Sequence, residues 1–427
     1  MIFVYTLALW LLLPYIFFHL LWRARKQPEY LCYIGERFGF YTARSGKPVI
    51  WLHAVSVGET RATQSLVTRL RANYPDHQIL LTHTTPTGRA ASKQLYGDDV
   101  MRVYLPYDYP FAVKRFLNHF QPRLGILMET EIWINLIHAC HKHRIPLLLL
   151  NARMSEKSMR RYARFGNLSG IALGGLTEIS AQTADDAARL TRLGAKNVSV
   201  MGNLKFDIEP PSAMLELGKH LRQQFGDTRP ILLAASTREG EEVLLLDALQ
   251  SIQIPDLLLV IVPRHPQRFA AVANLLEQRG ILFQRRSEDR NVPIEAKIIL
   301  GDSMGEMFAY YAAADLAFIG GSLLPFGGQN LIEACAVGTP VLVGPHIYNF
   351  AEATRLAISA GAAIKVSDAA EFVTEVQRLF QDAVTMREMH RQCAEFVRSN
   401  RGATEKSLQL VKLHLADSIA NPVPFPQ

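Results

Sequence analysis

The chain has 427 residues, 49% of them hydrophobic and 20% charged, with a formal net charge of +7 at pH 7. This length exceeds one ordinary core, so we expect two domains, and the composition excludes a largely disordered chain. The positive charge favours a partner with phosphates, either a nucleic acid or an anionic membrane surface. The scattered cysteines, Cys32, Cys140, Cys335 and Cys393, favour reduced thiols in a cytoplasmic body over a disulfide framework.

The N-terminal residues 1–22 form an apolar run without Asp, Glu, Lys or Arg, long enough to cross a bilayer core. Arg23, Arg25 and Lys26 follow at once. Because cationic flanks stay in the cytoplasm, we expect the body of the protein on that side. A cleaved signal peptide would carry its positive charge before the apolar run, so we expect an anchor instead. Pro14 also permits a kinked anchor in one leaflet, and both kinds of anchor stay open.

The stretch WLHAVSVGET, residues 51–60, indicates the end of a buried strand, a glycine and the start of a helix. Ser56 and Glu59 have the spacing of a capping box, in which the glutamate bonds back to the backbone. Apolar Ala62, Leu66 and Leu70 follow at helical spacing. Glu59 is therefore either a helix cap or a catalytic carboxylate, and this stretch alone favours the cap.

From residue 48 the chain alternates short apolar runs with amphipathic stretches. The apolar runs are continuous at their centres, which is typical of strands buried on both faces of a parallel βαβ sheet. The strand candidates are PVIWLHAVSV, HQILLTHTT, MRVYLPYD, RLGILMET, IPLLLLNAR, LTEISAQ and NVSVMGN.

A linker is predicted at FDIEPPSAML, where Pro210 and Pro211 disfavour both helix and central strand. A second series of strand candidates follows: RPILLAAST, DLLLVIVPR, ILFQRR, AKIILGDS, LAFIGGS, PVLVGP and AAIKVS. From about residue 370 the pattern is helical, and NPVPFPQ is expected to be a loose tail. We therefore expect an anchor at 1–22, Rossmann-like domains at 23–207 and 208–370, and C-terminal helices and tail at 371–427.

Two such domains are expected to face each other across a cleft, with ligands beyond the carboxyl ends of the strands. Many residues that are unusual in a hydrophobic core lie at those strand ends: Glu59, Thr84–Gly88, Glu129, Arg153, Ser236–Glu239, Arg264, Gly301–Glu306 and Gly320–Gly328. Membership of this set raises the odds that Glu59 belongs to a site.

Several motifs are missing from the sequence. There is no G-x-G-x-x-G opening the first domain, no P-loop and no H-E-x-x-H, which disfavours NAD, P-loop and zincin chemistry. There is also no D-x-D, the usual carboxylate pair for a metal–nucleotide complex. HACHKH, residues 138–143, favours a polar helix end over a metal site, because structural zinc sites usually draw on two separated ligand pairs.

The glycine-rich stretch 320–345 predicts a strand, a loop, a helix beginning near Gly328–Asn330, and a further strand. Free amides at that helix start would suit a phosphate, and Glu333 could accept two ribose hydroxyls. The alternative is ordinary: glycines for a turn, and Glu333 complementing the helix dipole.

A series of motifs runs in order through nearly the whole chain: HAVSVGE (53–59), TPTG (85–88), YLPYD (104–108), METEIW (128–133), NARMS (151–155), GNLKFD (202–207), STREGEE (236–242), PRHPQRF (263–269), GDSMGEM (301–307), GGSLLPFGGQNLIEA (320–334) and GPHIYNF (344–350). Together they resemble those of the Kdo (3-deoxy-D-manno-octulosonic acid) transferases of lipopolysaccharide biosynthesis, membrane-associated glycosyltransferases of the GT-B fold. Many linked motifs in order are far more specific than any one of them.

This resemblance implies roles for particular residues. Glu59 would be the general base, and Glu129 and Lys205 would support the transition state. The implied contacts to CMP are Arg264, His265, Met304, Gly305, Glu306, Asn330, Leu331, Ile332 and Glu333. The chain departs from the family pattern at Ile134, where Pro is usual, at Gln329–Glu333, where H-N-P-L-E is usual, and at Arg238, where His is usual. With the motif in place, the general base becomes the favoured interpretation of Glu59.

The implied reaction is transfer of Kdo from CMP-Kdo to a hydroxyl of a lipid A precursor disaccharide, with inversion at the ketosidic carbon. It needs no cofactor and no metal, because CMP is already a competent leaving group, and the missing D-x-D agrees with this. The first domain would bind the acceptor and the second the CMP-sugar. The enzyme would lie on the cytoplasmic face of the bacterial inner membrane, in contact with its anionic surface.

The segment KSMRRYARFG, residues 157–166, places Lys157, Arg160, Arg161 and Arg164 at helical spacing. Our hypothesis is that they meet acceptor phosphates or headgroups, and the alternative is a solvated helix face. Three other functions remain in view: a GT-B transferase using a UDP-sugar, a membrane-tethered nucleotide-binding protein without catalysis, and a nucleic-acid binder. The last is weakest, because the positive charge is spread out and no nucleic-acid module is present.

Overall fold

The computed structural model describes the backbone of residues 1–420 and the side chains of residues 1–416. The expected tail, NPVPFPQ, lies outside the described residues. The described residues form two compact units, one of residues 1–207 with 401–420 and the other of residues 208–400. Within residues 1–420 each unit has a seven-stranded sheet in which every strand pair is parallel. The predicted pair of Rossmann-like sheets is confirmed.

The first unit is built on strands β1 Val49–His53, β2 Gln78–His83, β3 Met101–Tyr104, β4 Pro122–Met128, β5 Leu147–Ala152, β6 Glu178–Ala181 and β7 Val198–Val200. Its helices are α1 Ile2–Lys26, α2 Val57–Ala62, α3 Gln64–Asn73, α4 Pro86–Tyr96, α5 Pro110–Phe120, α6 Ile134–Lys142, α7 Glu156–Ala163, α8 Gly166–Gly174 and α9 Ala184–Arg192. The strand order is β3-β2-β1-β4-β5-β6-β7, so the winding reverses between β1 and β4.

Strand β1 shows why this sheet needs helices on both faces. Val49 and Trp51 join the apolar cluster on one face, while Ile50 and Leu52 join the cluster on the other. All five residues of β1 are buried, because alternate side chains of a central strand point into opposite apolar layers.

The last helix returns to the first unit. We expected residues 371–427 to form one C-terminal segment, but the structure divides it. Helices α16 Ala369–Gln381 and α17 Ala383–Asn400 belong to the second unit, and α18 Ala403–Ala420 belongs to the first. The reason is hydrophobic: Leu408, Val411 and Leu415 of α18 complete the cluster that covers the β1 face bearing Ile50 and Leu52.

The second unit is built on strands β8 Ile231–Thr237, β9 Leu258–Pro263, β10 Phe283–Arg285, β11 Ile298–Leu300, β12 Leu316–Ile319, β13 Val341–Val343 and β14 Ala363–Lys365. Its other helices are α10 Ser212–Phe225, α11 Glu241–Ser251, α12 Phe269–Gln278, α13 Met307–Ala313, α14 Ile332–Ala336 and α15 Ala351–Ser359. The order is β10-β11-β9-β8-β12-β13-β14, so the winding reverses between β8 and β12.

Helix α1 is long and apolar enough to cross a membrane, and little of it is buried against the rest of the protein. A signal sequence would satisfy the same criteria of length and composition. Its first turns contact the body of the unit: Tyr5 Oη donates to Asp108 Oδ2 at 2.9 Å, and the Trp10 ring lies 5.2 Å from that of Tyr109. The outward side carries exposed Phe3, Leu11 and other large apolar residues.

The start of α18 depends on one distant carboxylate. Asp207 accepts hydrogen bonds from the backbone N–H groups of Gly402, at 2.7 Å, and of Thr404. Asp207→Ala should therefore cost about 0.5–2 kcal/mol, as loss of an N-cap does. Hydrogen exchange of residues 403–416 should speed up by about 2–30-fold, because 1.4 kcal/mol is a factor of ten.

The matched control is Asp368→Ala, which removes the cap of α16 in the second unit. It should leave exchange of residues 403–416 unchanged. Equal effects of the two variants would contradict a specific role for Asp207.

Candidate functional site

Glu59 lies in the first turn of α2, beyond the carboxyl end of β1. Its backbone N–H donates to Ser56 Oγ at 3.3 Å, so Ser56 is the N-cap, as predicted. The carboxylate is held at both oxygens: Oε2 accepts from the backbone N–H of Val55 at 2.7 Å, and Oε1 accepts from Ser56 Oγ at 2.9 Å. The contacts that make Glu59 part of the helix cap are thus the same contacts that fix the orientation of its carboxylate.

The electrostatic surroundings of Glu59 favour its protonated form. Burial raises the pKa of the Glu59 carboxyl above its ordinary value, and the negative charges of Glu129 and Glu131 raise it further. The hydrogen bonds from Val55 and Ser56 oppose this shift. A carboxylate whose pKa is raised is a stronger proton acceptor than an ordinary glutamate once it is ionised.

Glu129 follows β4, the strand next to β1 at the point where the winding reverses. Its φ of +58° lies in the left-handed region, which costs a non-glycine residue about 1–2 kcal/mol. Lys205 Nζ lies 3.5 Å from Glu129 Oε1, so the structure brings these two predicted residues together. Both lie in the same unit as Glu59.

Two residues that the sequence reasoning did not single out belong to this group. Glu131 Oε2 accepts from Trp133 Nε1 at 2.7 Å and faces His53 Nε2 at 3.6 Å. The His53 side chain is fully buried, and its Nδ1 contacts Thr82. Both residues lie inside the quoted motifs METEIW and HAVSVGE. His53 ends β1 and Glu131 lies three residues beyond the end of β4, and these positions on neighbouring strands were the available signal.

In the second unit, Arg264 and His265 follow β9, and the Arg264 backbone N–H donates to Thr237 O at the end of β8. Burial lowers the pKa of His265, and the charges of Arg238, Arg264 and Arg268 lower it further, so the neutral imidazole predominates at neutral pH. Arg238 Nη1 lies 3.1 Å from His265 Nε2. In the sequence analysis Arg238 was part of the set Ser236–Glu239 at the strand ends and a departure from the family pattern, without a role of its own.

The loop after β12 is held by a carboxylate with no exposure to solvent, that of Glu241. It accepts hydrogen bonds from three backbone N–H groups, those of Arg238 (2.8 Å), Gly321 (2.5 Å) and Leu323 (3.1 Å). One side chain therefore fixes both the start of α11 and the glycine-rich loop. The sequence reasoning missed this function of Glu241.

Met304, Gly305 and Glu306 form the turn before α13. Met304 and Gly305 are exposed, and Gly305 has a φ of +84°. Glu306 is already engaged: Ser303 Oγ donates to its Oε2 at 2.7 Å, and Arg286 Nε lies 3.3 Å away. A nucleotide group at this turn would therefore meet an exposed backbone and a carboxylate held in place.

The helix predicted from Gly328–Asn330 begins later than expected, at Ile332, and α14 has five residues. Gly327 and Gly328 have φ of +91° and +73°, values that a right-handed helix does not allow. Asn330 Oδ1 accepts from the Ile332 backbone N–H at 3.1 Å, and its Nδ2 donates to Glu333 Oε1 at 3.0 Å. The side chains of Leu331 and Ile332 are buried, so their backbones are what a nucleotide could contact.

The HACHKH stretch forms the C-terminal end of α6, as predicted, and runs one residue beyond it. Its Cys140 is buried in the core. Within the described side chains, no group of three or more His, Cys, Asp or Glu residues could hold a metal ion.

With this geometry in view, similarity to known proteins identifies the family. A family model described as 3-Deoxy-D-manno-octulosonic-acid transferase (kdotransferase) matches residues 33–208, and one described as Glycosyl transferases group 1 matches residues 231–399. The 3-deoxy-D-manno-octulosonic acid transferase of Bordetella pertussis is 42% identical over 425 residues, covering 96% of this chain and 98% of that protein. The chain belongs to the Kdo transferase family.

Other relatives agree with this assignment. The 3-deoxy-D-manno-octulosonic acid transferase of Haemophilus influenzae is 37% identical over 401 residues, covering 92% of this chain and 94% of that protein. A crystal structure of a glycosyltransferase from Rickettsia africae matches with a TM-score of 0.57 at 15% identity, covering 87% of this chain and 99% of that one. That likeness concerns the fold, which is GT-B-like. The chain is therefore a glycosyltransferase of the Kdo transferase family.

The hydrogen bonds of Glu241 generate a stability prediction for this enzyme. Glu241→Ala leaves three backbone N–H groups without their acceptor, and each such loss costs about 1–3 kcal/mol. We expect urea denaturation to give a free energy of unfolding lower by about 3 kcal/mol or more, with faster hydrogen exchange across residues 319–328.

Glu239→Ala is the matched control, because Glu239 is exposed and lies two residues away. It should change the free energy of unfolding by less than about 0.5 kcal/mol. A loss below about 1 kcal/mol for Glu241→Ala, less than one unsatisfied amide costs, would show that the loop does not depend on this carboxylate.

Proposed function

We propose that this enzyme transfers Kdo from CMP-Kdo to a hydroxyl of a lipid A precursor disaccharide, with inversion at the ketosidic carbon. Glu59 is the general base. The reaction belongs to lipopolysaccharide biosynthesis and takes place at the cytoplasmic face of the bacterial inner membrane. Family membership supports the sugar and the reaction class, and the geometry around Glu59 carries the mechanism.

A sugar hydroxyl is a poor nucleophile near neutral pH, so a base that takes its proton as the new bond forms can contribute about 10²–10⁴ in rate. Glu59 suits this task, because the contacts to Val55 and Ser56 fix its carboxylate at the reversal point between β1 and β4. Ligands of parallel sheets bind at such a point.

Negative charge has to be stabilised as CMP leaves. Positively charged and backbone donors follow the strands of the second unit, and Arg264 is one of them. In this proposal Arg264, His265 and the backbones of residues 304–306 and 330–333 hold the CMP group, while Lys205, paired with Glu129, stabilises the transition state. In this proposal the step needs no metal, because the phosphate of CMP leaves as an anion that these groups can hold.

The acceptor is a lipid, so the enzyme has to work at a membrane. The exposed apolar side of α1 supports an anchor, and Arg23, Arg25 and Lys26 at its end would meet anionic headgroups, each contributing about 1 kcal/mol near such a surface. Helix α7 carries further basic residues on an exposed face, with Arg160 paired to Glu156 at 3.1 Å. We assign this face to acceptor phosphates or headgroups.

The test of the base compares Glu59→Gln with the wild-type enzyme, using CMP-Kdo made in situ and a detergent-solubilised tetra-acylated lipid A precursor. Glutamine still accepts a hydrogen bond, but its amide does not take up a proton near neutral pH. Turnover should therefore fall by about 10²–10⁴, while the thermal unfolding midpoint changes little. The mass of the product counts the sugars added. In the wild type, kcat/KM should rise with pH along a limb whose midpoint lies above the ordinary glutamate pKa, because burial raises that of Glu59.

Thr183→Ala is a control for capping alone, since Thr183 caps α9 through the backbone N–H of Asp186. It should cost about 1 kcal/mol of stability and leave turnover intact. Full activity of Glu59→Gln would make Glu59 a cap and refute its role as base. If wild-type enzyme forms no product, the donor or acceptor assignment is wrong.

The basic face of α7 has its own test, the double variant Arg160→Glu, Arg161→Glu. Charge reversal should weaken flotation with vesicles containing phosphatidylglycerol and raise the KM for the lipid acceptor by about tenfold, and added salt should reduce the difference. Arg192→Glu, Lys196→Glu reverses the same charge at exposed positions elsewhere in this unit and is the control. Unchanged vesicle binding and acceptor KM in the α7 variant would make this face a solvated one.

A further inference from the structure

Arg238 occupies the reversal point of the second sheet. Strands β8 and β12 are neighbours there, and the chain winds away from them in opposite directions. Arg238 directly follows β8, and the loop with Gly321 and Phe326 follows β12. In open parallel sheets, the crevice beyond the carboxyl ends of these two strands is where a ligand binds.

The backbone of Arg238 is fixed relative to that loop. Glu241 Oε2 accepts from the backbone N–H of Arg238 at 2.8 Å and from that of Gly321 at 2.5 Å. Because the same buried carboxylate oxygen holds both segments, the two walls of the crevice keep their spacing. This is the kind of second layer of support that keeps a binding group in place.

The side chain of Arg238 is positioned by three further features. Its guanidinium carbon lies 4.7 Å from the ring centroid of Phe326, a cation–π contact. Its Nη1 donates to His265 Nε2 at 3.1 Å, since an arginine can only donate. Gly321 leaves room for it: a Cβ at that position would lie 3.3 Å from Arg238 Cγ.

The positive charge of this guanidinium is not neutralised by a carboxylate among the described residues. Within the described residues Arg238 makes no ion pair with a carboxylate, whereas its neighbour Arg268 is paired with Glu242 at 3.0 Å. Because His265 Nε2 accepts from Arg238, the proton of the neutral imidazole is on Nδ1, which is then a donor. A positive charge that is held in place by an aromatic ring and a histidine is suited to an anion.

We propose that Arg238 is a donor-binding residue that holds an anionic group of the sugar nucleotide, with His265 as its partner. This rests on the proposed function, in which the second unit binds CMP-Kdo. That donor carries two anions of suitable chemistry, the phosphate of the nucleotide and the carboxylate of the sugar. Guanidinium binds either through paired N–H groups.

The experiment measures calorimetric binding of CMP and of UDP, and the KM for CMP-Kdo, in wild type, Arg238→Ala and Arg238→Lys. If Arg238 holds the phosphate, the alanine variant should bind CMP about tenfold or more weakly. If it holds the sugar carboxylate, CMP affinity should stay the same while the KM for CMP-Kdo rises about tenfold or more. Lysine should restore part of the loss, because it supplies charge without paired donors.

Arg290→Ala is the matched control, since Arg290 is an exposed arginine of the same unit paired with Glu288. It should alter neither CMP affinity nor KM. The inference would be overturned if Arg238→Ala had a CMP affinity and a KM for CMP-Kdo that both lie within twofold of the wild-type values.

The outcomes separate this inference from the proposed function. A wild-type enzyme that binds UDP and not CMP, with weaker UDP binding in Arg238→Ala, would refute the donor assignment and support the role of Arg238. A wild-type enzyme that binds CMP, with an unaffected variant, would refute Arg238 alone. Binding of neither nucleotide by the wild type would overturn both.

Discussion

Backbone N–H groups just beyond the end of a buried parallel strand need a hydrogen-bond acceptor, and in this protein carboxylates provide it. Glu59 accepts from Val55 after β1, and Glu241 accepts from Arg238, Gly321 and Leu323 after β8 and β12. Because an unsatisfied buried amide costs about 1–3 kcal/mol, these acidic side chains are needed by the fold before any ligand is considered. The carboxyl edges of both sheets are thereby built as rigid, polar surfaces.

The chemistry uses the same property. A carboxylate that is anchored by backbone donors keeps one orientation, which is what a general base requires, and partial burial near other acids raises its pKa toward the working range. Glu59 is therefore both the cap that its spacing indicates and the proposed base. The two interpretations that competed in the sequence describe one geometry.

Much of the fold could be predicted, because continuous apolar runs such as LLLL in β5 are typical of strands buried on both faces. Glu59, Glu129 and Lys205 could be named from their motifs, and the structure brings the last two within 3.5 Å. The start of α14 was predicted too early, because glycines at 327 and 328 serve positive φ rather than a helix start. The return of α18 could not be foreseen, since an amphipathic helix carries no mark of which apolar face it will cover.

The amino-acid sequence by itself determined the two parallel sheets, the apolar N-terminal helix and the family, because periodicity, composition and ordered motifs are properties of local stretches of chain. Tertiary structure alone decided which distant groups meet: Glu131 with His53, Arg238 with His265 and Phe326, and Glu241 with the glycine loop. These pairings depend on strand order, and strand order follows from how the helices pack over the sheet faces. No short stretch of sequence records that packing, and so the partners of the candidate site residues appear only in three dimensions.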